Sequence, residues 1–210
     1  MKLEQRTMQV LKNFATINPS LLFRKGNVLK TVSSQKTVMA RAVVTEDFPC
    51  QFAIYDLSKF IGTLSLFNEP DVRVTDKSVF ISKNDHSVTY TVADPEMIVS
   101  APVKDIVISN PDVTFELSGE TLQSVQKALA VLQLTDFTFE GDGEHICVKA
   151  SGGTTHDNYS VVVGETDRTF KVSMKSEKMK LIPNTYNVII SKGIVQFSGD
   201  NIDYWIAVDA

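Results

Sequence analysis

Residues 1–18, MKLEQRTMQVLKNFATIN, decide how the rest of the chain is read. At 3.6 residues per turn, Leu3, Thr7, Val10, Leu11, Phe14 and Ile17 fall along one side, the recurrence of a helix with a buried stripe. Gln5, Arg6, Gln9, Lys12, Asn13 and Thr16 fall on the other, a face with positive charge and no acid. A lone helix of this kind is ordinarily a solvated face. Here a second helix of the same kind is predicted far along the chain, and that repeat sets the fold.

Outward from the first helix, Pro19-Ser20 breaks the pattern and short strands are predicted at 21–24, 28–33, 37–44 and 51–55. Lys25-Gly26-Asn27, Ser34-Gln35 and Glu46-Asp47 separate them as turns, and the close spacing favours antiparallel hairpins. Asp56 is placed as the N-cap of a helix over 56–64, with Leu57, Phe60, Ile61 and Leu64 as its apolar face. Strands return at 71–75, 78–82 and 87–92. Asp94-Pro95-Glu96 and a weakly alternating stretch with Pro102 and Pro111 then mark a boundary. Beyond it Ser118 caps a helix over 119–134 with Leu122, Val125, Leu129 and Leu132 on its stripe. Strands follow at 136–140, 145–150, 158–163 and 169–172, then a lysine-rich helical segment over 173–181. The last strands are predicted at 187–191, 193–198 and 202–208.

The halves overlay at a nearly constant offset: Val10 falls on Val125, Lys12 on Lys127, Phe14 on Leu129, Tyr55 on Phe170 and Lys77 on Lys192. Each match alone is weak; the shared order of elements is what makes the halves a repeat. The final strands match better one residue out of step, and one residue reverses the face of every strand side chain. The overlay therefore specifies topology and not register. The expected fold is α+β, two similar domains of antiparallel sheet with two helices each: 1–95, a connector over 96–110, and 111–210.

Composition excludes several functions. At 210 residues, with 43% hydrophobic and 22% charged, the chain can bury a sizeable core in one domain or two. The formal net charge of −4 gives no overall attraction to nucleic acid, so any such binding must come from a local basic surface. No apolar run is long enough to span a membrane, and the start lacks the apolar centre of a signal peptide. Cys50 and Cys147 are read as separate reduced thiols. Ser151, His156, Asp157 and Ser160 are triad residue types, but in a polar glycine-bearing loop they read as an exposed turn. Gly141-Asp142-Gly143-Glu144 reads as a hairpin turn rather than a phosphate loop. With His86, His145 and His156 isolated from one another, no metal or cofactor is expected.

The positive charges say more. Lys12, Lys59 and Lys127 lie opposite the apolar stripes of three helices, with Arg6 on the first, and Lys175, Lys178 and Lys180 crowd the fourth segment. Either these are ordinary solvated lysines, or the helices line one surface suited to a phosphate backbone, where lysine acts as a mobile point charge. No aromatic residue shares these faces, so base stacking is not offered.

Leu11-Lys12-Asn13-Phe14-Ala15-Thr16-Ile17-Asn18 and Ala53-Ile54-Tyr55-Asp56-Leu57, with Phe60, Gly62 and Leu64-Ser65-Leu66, resemble the DNA polymerase sliding clamps of T-even-like bacteriophages. Ala93-Asp94-Pro95 and Met179-Lys180-Leu181-Ile182-Pro183 with Tyr186 fit as well, so the resemblance covers essentially the whole chain. It implies the DNA clamp fold, closed as a homotrimeric ring with helices lining the hole. It implies a processivity factor without enzymatic activity that encircles duplex DNA irrespective of sequence. Arg6, Lys12, Lys59, Lys127, Lys175 and Lys178 would then face DNA. The implied partners are a C-terminal peptide of the polymerase, an ATP-driven clamp loader and other replication or late-transcription proteins, in the cytoplasm of the infected bacterium. The peptide dock is expected at Met97, Ile98, Val99, Pro102 and Val103, bordered by Trp205 and residues 207–210, the other reading being that these residues only cover the two cores. A β-rich viral structural or assembly protein is the alternative, and it requires no inward basic helices.

Overall fold

A computed structural model describes residues 1–154 and 156–209. The chain divides into two compact units, Met1–Asp105 and Ile106–Ala210.

The first unit opens on α1, Gln5–Ile17, shorter at its start than expected. Thr7, Val10, Leu11, Phe14 and Ile17 form its buried stripe, while Leu3 precedes the helix and is half-buried. Glu4 occupies the N-cap position but its side chain makes no capping bond. Strands β1 Leu21–Phe23, β2 Gly26–Val32, β3 Val38–Phe48 and β4 Phe52–Ile54 follow. The helix α2, Leu57–Leu64, leads to β5 Asp71–Val74, β6 Ser78–Lys83 and β7 His86–Thr91. All pairings within the unit are antiparallel: β1 with β4, β2 with β3, and β5-β6-β7 as a meander. Helices α1 and α2 pack together, and α1 also rests on β3. Phe23 anchors the core, stacked on Phe52 with ring centroids 4.4 Å apart and edge-on to Phe48 at 5.0 Å.

Glu46-Asp47 was expected as a turn, and this is corrected: β3 runs on through both to Phe48. Alternation along β3 turns Glu46 and Phe48 inward, and the Glu46 carboxylate is satisfied by the start of α1, where it accepts from Glu4 N and Thr7 Oγ1. A carboxylate at a helix N-terminus meets both orphan N–H groups and the positive end of the dipole.

The second unit begins with β8, Val113–Leu117, a strand not predicted from the sequence, at the expected start of the second domain. Its pairing with β13, far along the chain, makes it a strand. Ser118 caps α3, Gly119–Val131, its Oγ accepting from Thr121 N at 3.1 Å. The helix stops short of the predicted Leu134 because Gln133 takes φ of 54°, a left-handed conformation that ends the ladder. Strands β9 Asp136–Asp142, β10 His145–Ser151, β11 Tyr159–Glu165 and β12 Thr169–Lys175 form an antiparallel sheet in the order β11-β10-β9-β12. Strands β13 Tyr186–Ser191, β14 Ile194–Gly199 and β15 Ile202–Ala207 continue from β8 in the order β8-β13-β14-β15. Phe137, Phe139, Phe197, Tyr186 and Tyr204 fill the core.

The expected fourth helix is a further correction. Residues 173–175 complete β12, paired to β9 along its whole length, and only Ser176–Lys178 turns, as a single 3-10 turn. The chain after it finds its hydrogen bonds elsewhere. Gln126 on α3 donates to Met179 O and Leu181 O at 3.2 and 3.1 Å, and Ile182 is held between the hydroxyls of Tyr186 and Tyr204. With those groups already paired, a helix would gain little.

Candidate functional site

Two groups of residues stand out, a set of basic side chains and the apolar connector. Burying Val10, Leu11 and Phe14 leaves Lys12 exposed on the far side of α1. The same logic exposes Lys59 on α2 opposite Leu57, Phe60 and Ile61, and Lys127 on α3 opposite Leu122, Val125 and Leu129. Arg6 is half-buried and donates to Gln9 at 3.0 Å. Lys12 also borders a concavity of about 550 Å³ between the start of α1 and the end of α2, with Lys2, Met8, Leu64, Phe67 and Glu69.

The remaining two lysines are engaged. Lys175 reaches Asp136 at 2.6 Å, across the β9–β12 ladder. That hydrogen bond holds the Asp136 carboxyl below its usual range, partial burial opposing and Thr135 adding a second bond. The same contact raises the Lys175 ammonium above the ordinary lysine range. Lys178, on the 3-10 turn, pairs with Asp209 and donates to Ala207 O at 3.1 Å.

The connector is fixed to the first unit by side chains that sequence reasoning did not single out. Asn18 donates to Val99 O at 3.0 Å, Arg24 to Ala101 O at 2.8 Å and Lys30 to Val103 O at 2.6 Å. Every second carbonyl is thus bound, as an edge strand's would be, but by side chains rather than backbone. Lys30 also pairs with Asp105 at 2.6 Å, with Arg41 Nε on the other carboxylate oxygen at 3.7 Å. Asn18 Oδ1 accepts from Ser20 N, which fixes the amide. The only signal in the sequence was the spacing of polar side chains among apolar strand residues, and nothing there paired them with residues some 75 positions on.

This anchoring buries Ala101 and leaves Met97 and Val103 70% and 73% exposed, with Val99 and Pro102 exposed and Ile98 half-buried. Trp205 lies on β15 in the second unit, only 4% exposed, and its indole N–H has no partner among the described residues. Of the terminal residues expected beside it, Ala207, Val208 and Asp209 are half-buried, and Ala210 lies outside the described residues.

Chemistry is sparse elsewhere. Among the described residues no His, Cys, Asp and Glu group has the arrangement of a metal site. Cys50 and Cys147 are not disulfide-bonded. His156 and Asp157 are exposed, between β10 and β11.

Two family models match the chain: one described as DNA polymerase processivity factor over residues 2–101, the other as gp45 sliding clamp, C terminal, over 114–210. The sliding clamp of Vibrio phage KVP40 is 32% identical over 220 positions, covering 100% of both chains. That of Enterobacteria phage T4 is 28% identical, covering 100% of this chain and 97% of its own. Among solved structures, the proliferating cellular nuclear antigen of Entamoeba histolytica superposes with a TM-score of 0.73 at 14% identity, over 100% of this chain and 98% of that one. The DNA polymerase III beta chain of Streptococcus pneumoniae gives 0.71 at 12% identity, all of this chain lying on 64% of that one. A structure of A. fulgidus PCNA with the C-terminal region of FEN-1 bound gives 0.70 at 12% identity over 97% of this chain and 94% of that one.

Proposed function

The chain belongs to the sliding clamps of T4-like phages, non-enzymatic processivity factors of DNA polymerase, and on that premise we propose that it closes as a head-to-tail homotrimer around duplex DNA. The observation that carries the reading is the exposure of Lys12, Lys59 and Lys127 opposite the buried stripes of α1, α2 and α3, in a chain of net charge −4. An acidic protein can hold DNA if its positive charge is gathered on the surface that meets the phosphates. A closed ring cannot leave sideways, so weak, salt-sensitive contacts suffice and permit sliding. A viral structural role is set aside with the family established.

Functional domains at 1–95 and 111–210, joined by a connector over 96–110, agree with this reading; the connector as far as Asp105 packs with the first unit. Strands β7 and β11 each end their sheets, and β11 carries Val161-Val162-Val163 with Val162 58% exposed. An uncharged apolar edge is a template for another strand, and a rotation that closes gives a ring. We assign the subunit contact to these edges. The exposed connector from Met97 to Val103 is the dock for the polymerase peptide, and an ATP-driven loader places the ring on DNA in the cytoplasm of the infected host. Arg6 supports the basic lining. Lys175 and Lys178 contribute less, their charge being partly matched by Asp136 and Asp209.

The test combines solution mass with retention on DNA. A trimeric mass, and retention after loading on circular but not linear duplex, is the expected result. Monomer at high micromolar concentration, with retention indifferent to DNA ends, overturns the reading.

A further inference from the structure

A second feature of the first unit is a cavity of about 230 Å³ beneath the end of the connector, lined by Arg24, Lys25, Val28, Lys30, Arg41, Val103 and Asp105. Four cations share it with a single carboxylate, a concentrated positive excess in a net acidic chain. The Lys30 side chain is only 9% exposed and pairs with Asp105, while Lys25, also in the lining, is exposed. The lining is also part apolar, through Val28 and the exposed Val103.

We propose that this cavity is a carboxylate-binding subsite of the connector dock, taking the carboxylate of a peptide whose apolar side chains lie along Val99 and Val103. The inference rests on the connector being the peptide dock. Resident Asp105 already shows the chemistry: a carboxylate held by Lys30 with Arg41 alongside. A second carboxylate still meets net positive charge, and near a partly desolvated guanidinium such contacts are stronger than in water. Duplex DNA fits less well. A convex rod presents its phosphates to protruding lysines, whereas this concavity sets its cations beside apolar Val28 and Val103, which a peptide side chain covers and a phosphate backbone does not. The carboxylate can come from a chain terminus or from an acidic side chain next to an apolar one.

The experiment uses the full chain and a labelled synthetic peptide of the cognate polymerase C-terminus, read by fluorescence anisotropy. The peptide is made as free acid, as C-terminal amide, and with its acidic side chains replaced by amides. Lys25→Ala is expected to weaken the carboxylate-bearing peptide by about fivefold and to leave the matching amide form unchanged. Asp105→Asn is expected to tighten it by a similar factor, because the cavity becomes more positive; a merely structural Asp105, loosening the connector when lost, predicts the opposite sign. Whichever amide form loses affinity identifies the source of the carboxylate. If all three peptides bind alike to the wild type and to Lys25→Ala, the subsite falls and the dock stands. If none binds, the dock falls and the subsite with it. A Lys25→Ala variant that loses duplex retention but no peptide affinity assigns the cavity to phosphate and overturns the proposal.

Discussion

Thr7 and Glu46, 39 residues apart in sequence, are hydrogen-bonded at the start of α1, where the Glu46 carboxylate also accepts from Glu4 N. Residue 46 is 7% exposed, so this charge is held in place of a local cap, and Glu4 in turn accepts from Thr45 Oγ1 at 2.9 Å. The helix that presents Lys12 is therefore positioned by β3. Replacing Glu46 with Gln leaves one acceptor where two donors point, and is expected to cost about 1–2 kcal/mol of stability. A urea midpoint equal to wild type would show that the pair adds nothing.

The exposed lysines are expected to act on DNA and not on folding. Changing Lys12, Lys59 and Lys127 together to Ala leaves stability within about 0.5 kcal/mol per site. Retention of the loaded ring on circular DNA falls, and its salt dependence flattens by roughly one power of salt concentration per lost phosphate contact. Wild-type retention at every salt concentration would remove these faces from the DNA surface.

Lys175 offers the converse test, because Asp136 partly cancels its charge. Asp136→Asn removes the carboxylate and is expected to increase retention on DNA, whereas Lys175→Ala reduces it less than Lys12→Ala. Should Asp136→Asn weaken retention, the pair serves to aim Lys175 and not to restrain it.

The same pair has a pH signature. Lys175 holds the Asp136 carboxyl below its usual range, so the folded state favours the ionised form. Its contribution is complete above the unfolded carboxyl value, about pH 4, and disappears as pH falls through the lower folded value. Chemical denaturation of wild type and Asp136→Asn at pH 7 and pH 2 should show a difference that shrinks in acid. A gap of equal size at both pH values would rule the linkage out.

At the proposed subunit contact, Val162→Lys places a charge on an apolar sheet edge without touching the core. The variant is expected to remain folded and to sediment as monomer at concentrations where wild type is trimeric. A variant that stays trimeric moves the contact away from β11.

On the connector, Ile98→Ser with Val99→Ser is expected to weaken the polymerase peptide and leave the mass of the assembly unchanged. Loss of the trimer with peptide affinity preserved would make these side chains structural.

Much of this was legible in the chain itself, because it depended on local periodicity. The stripes Val10-Leu11-Phe14 and Leu122-Val125-Leu129, the caps Asp56 and Ser118, and the exposure of Lys12, Lys59 and Lys127 follow from the helical repeat and from side-chain oxygens at helix starts. The connector's apolar residues were visible too, but not which of them stay exposed, since a stretch without clear alternation has no face to assign. What tertiary structure alone decided lies where a group's partner is distant in sequence. Glu46-Asp47 read as a turn until the start of α1 satisfied Glu46; residues 173–175 read as helix until β9 paired with them; and Val113–Leu117 showed no strand until β13 lay beside it. The anchoring of Val99, Ala101 and Val103 by Asn18, Arg24 and Lys30 belongs to the same class. Buried polar groups must be paired, but a sequence does not say with what, so the helical faces were set locally and the polar pairings only once the chain had folded.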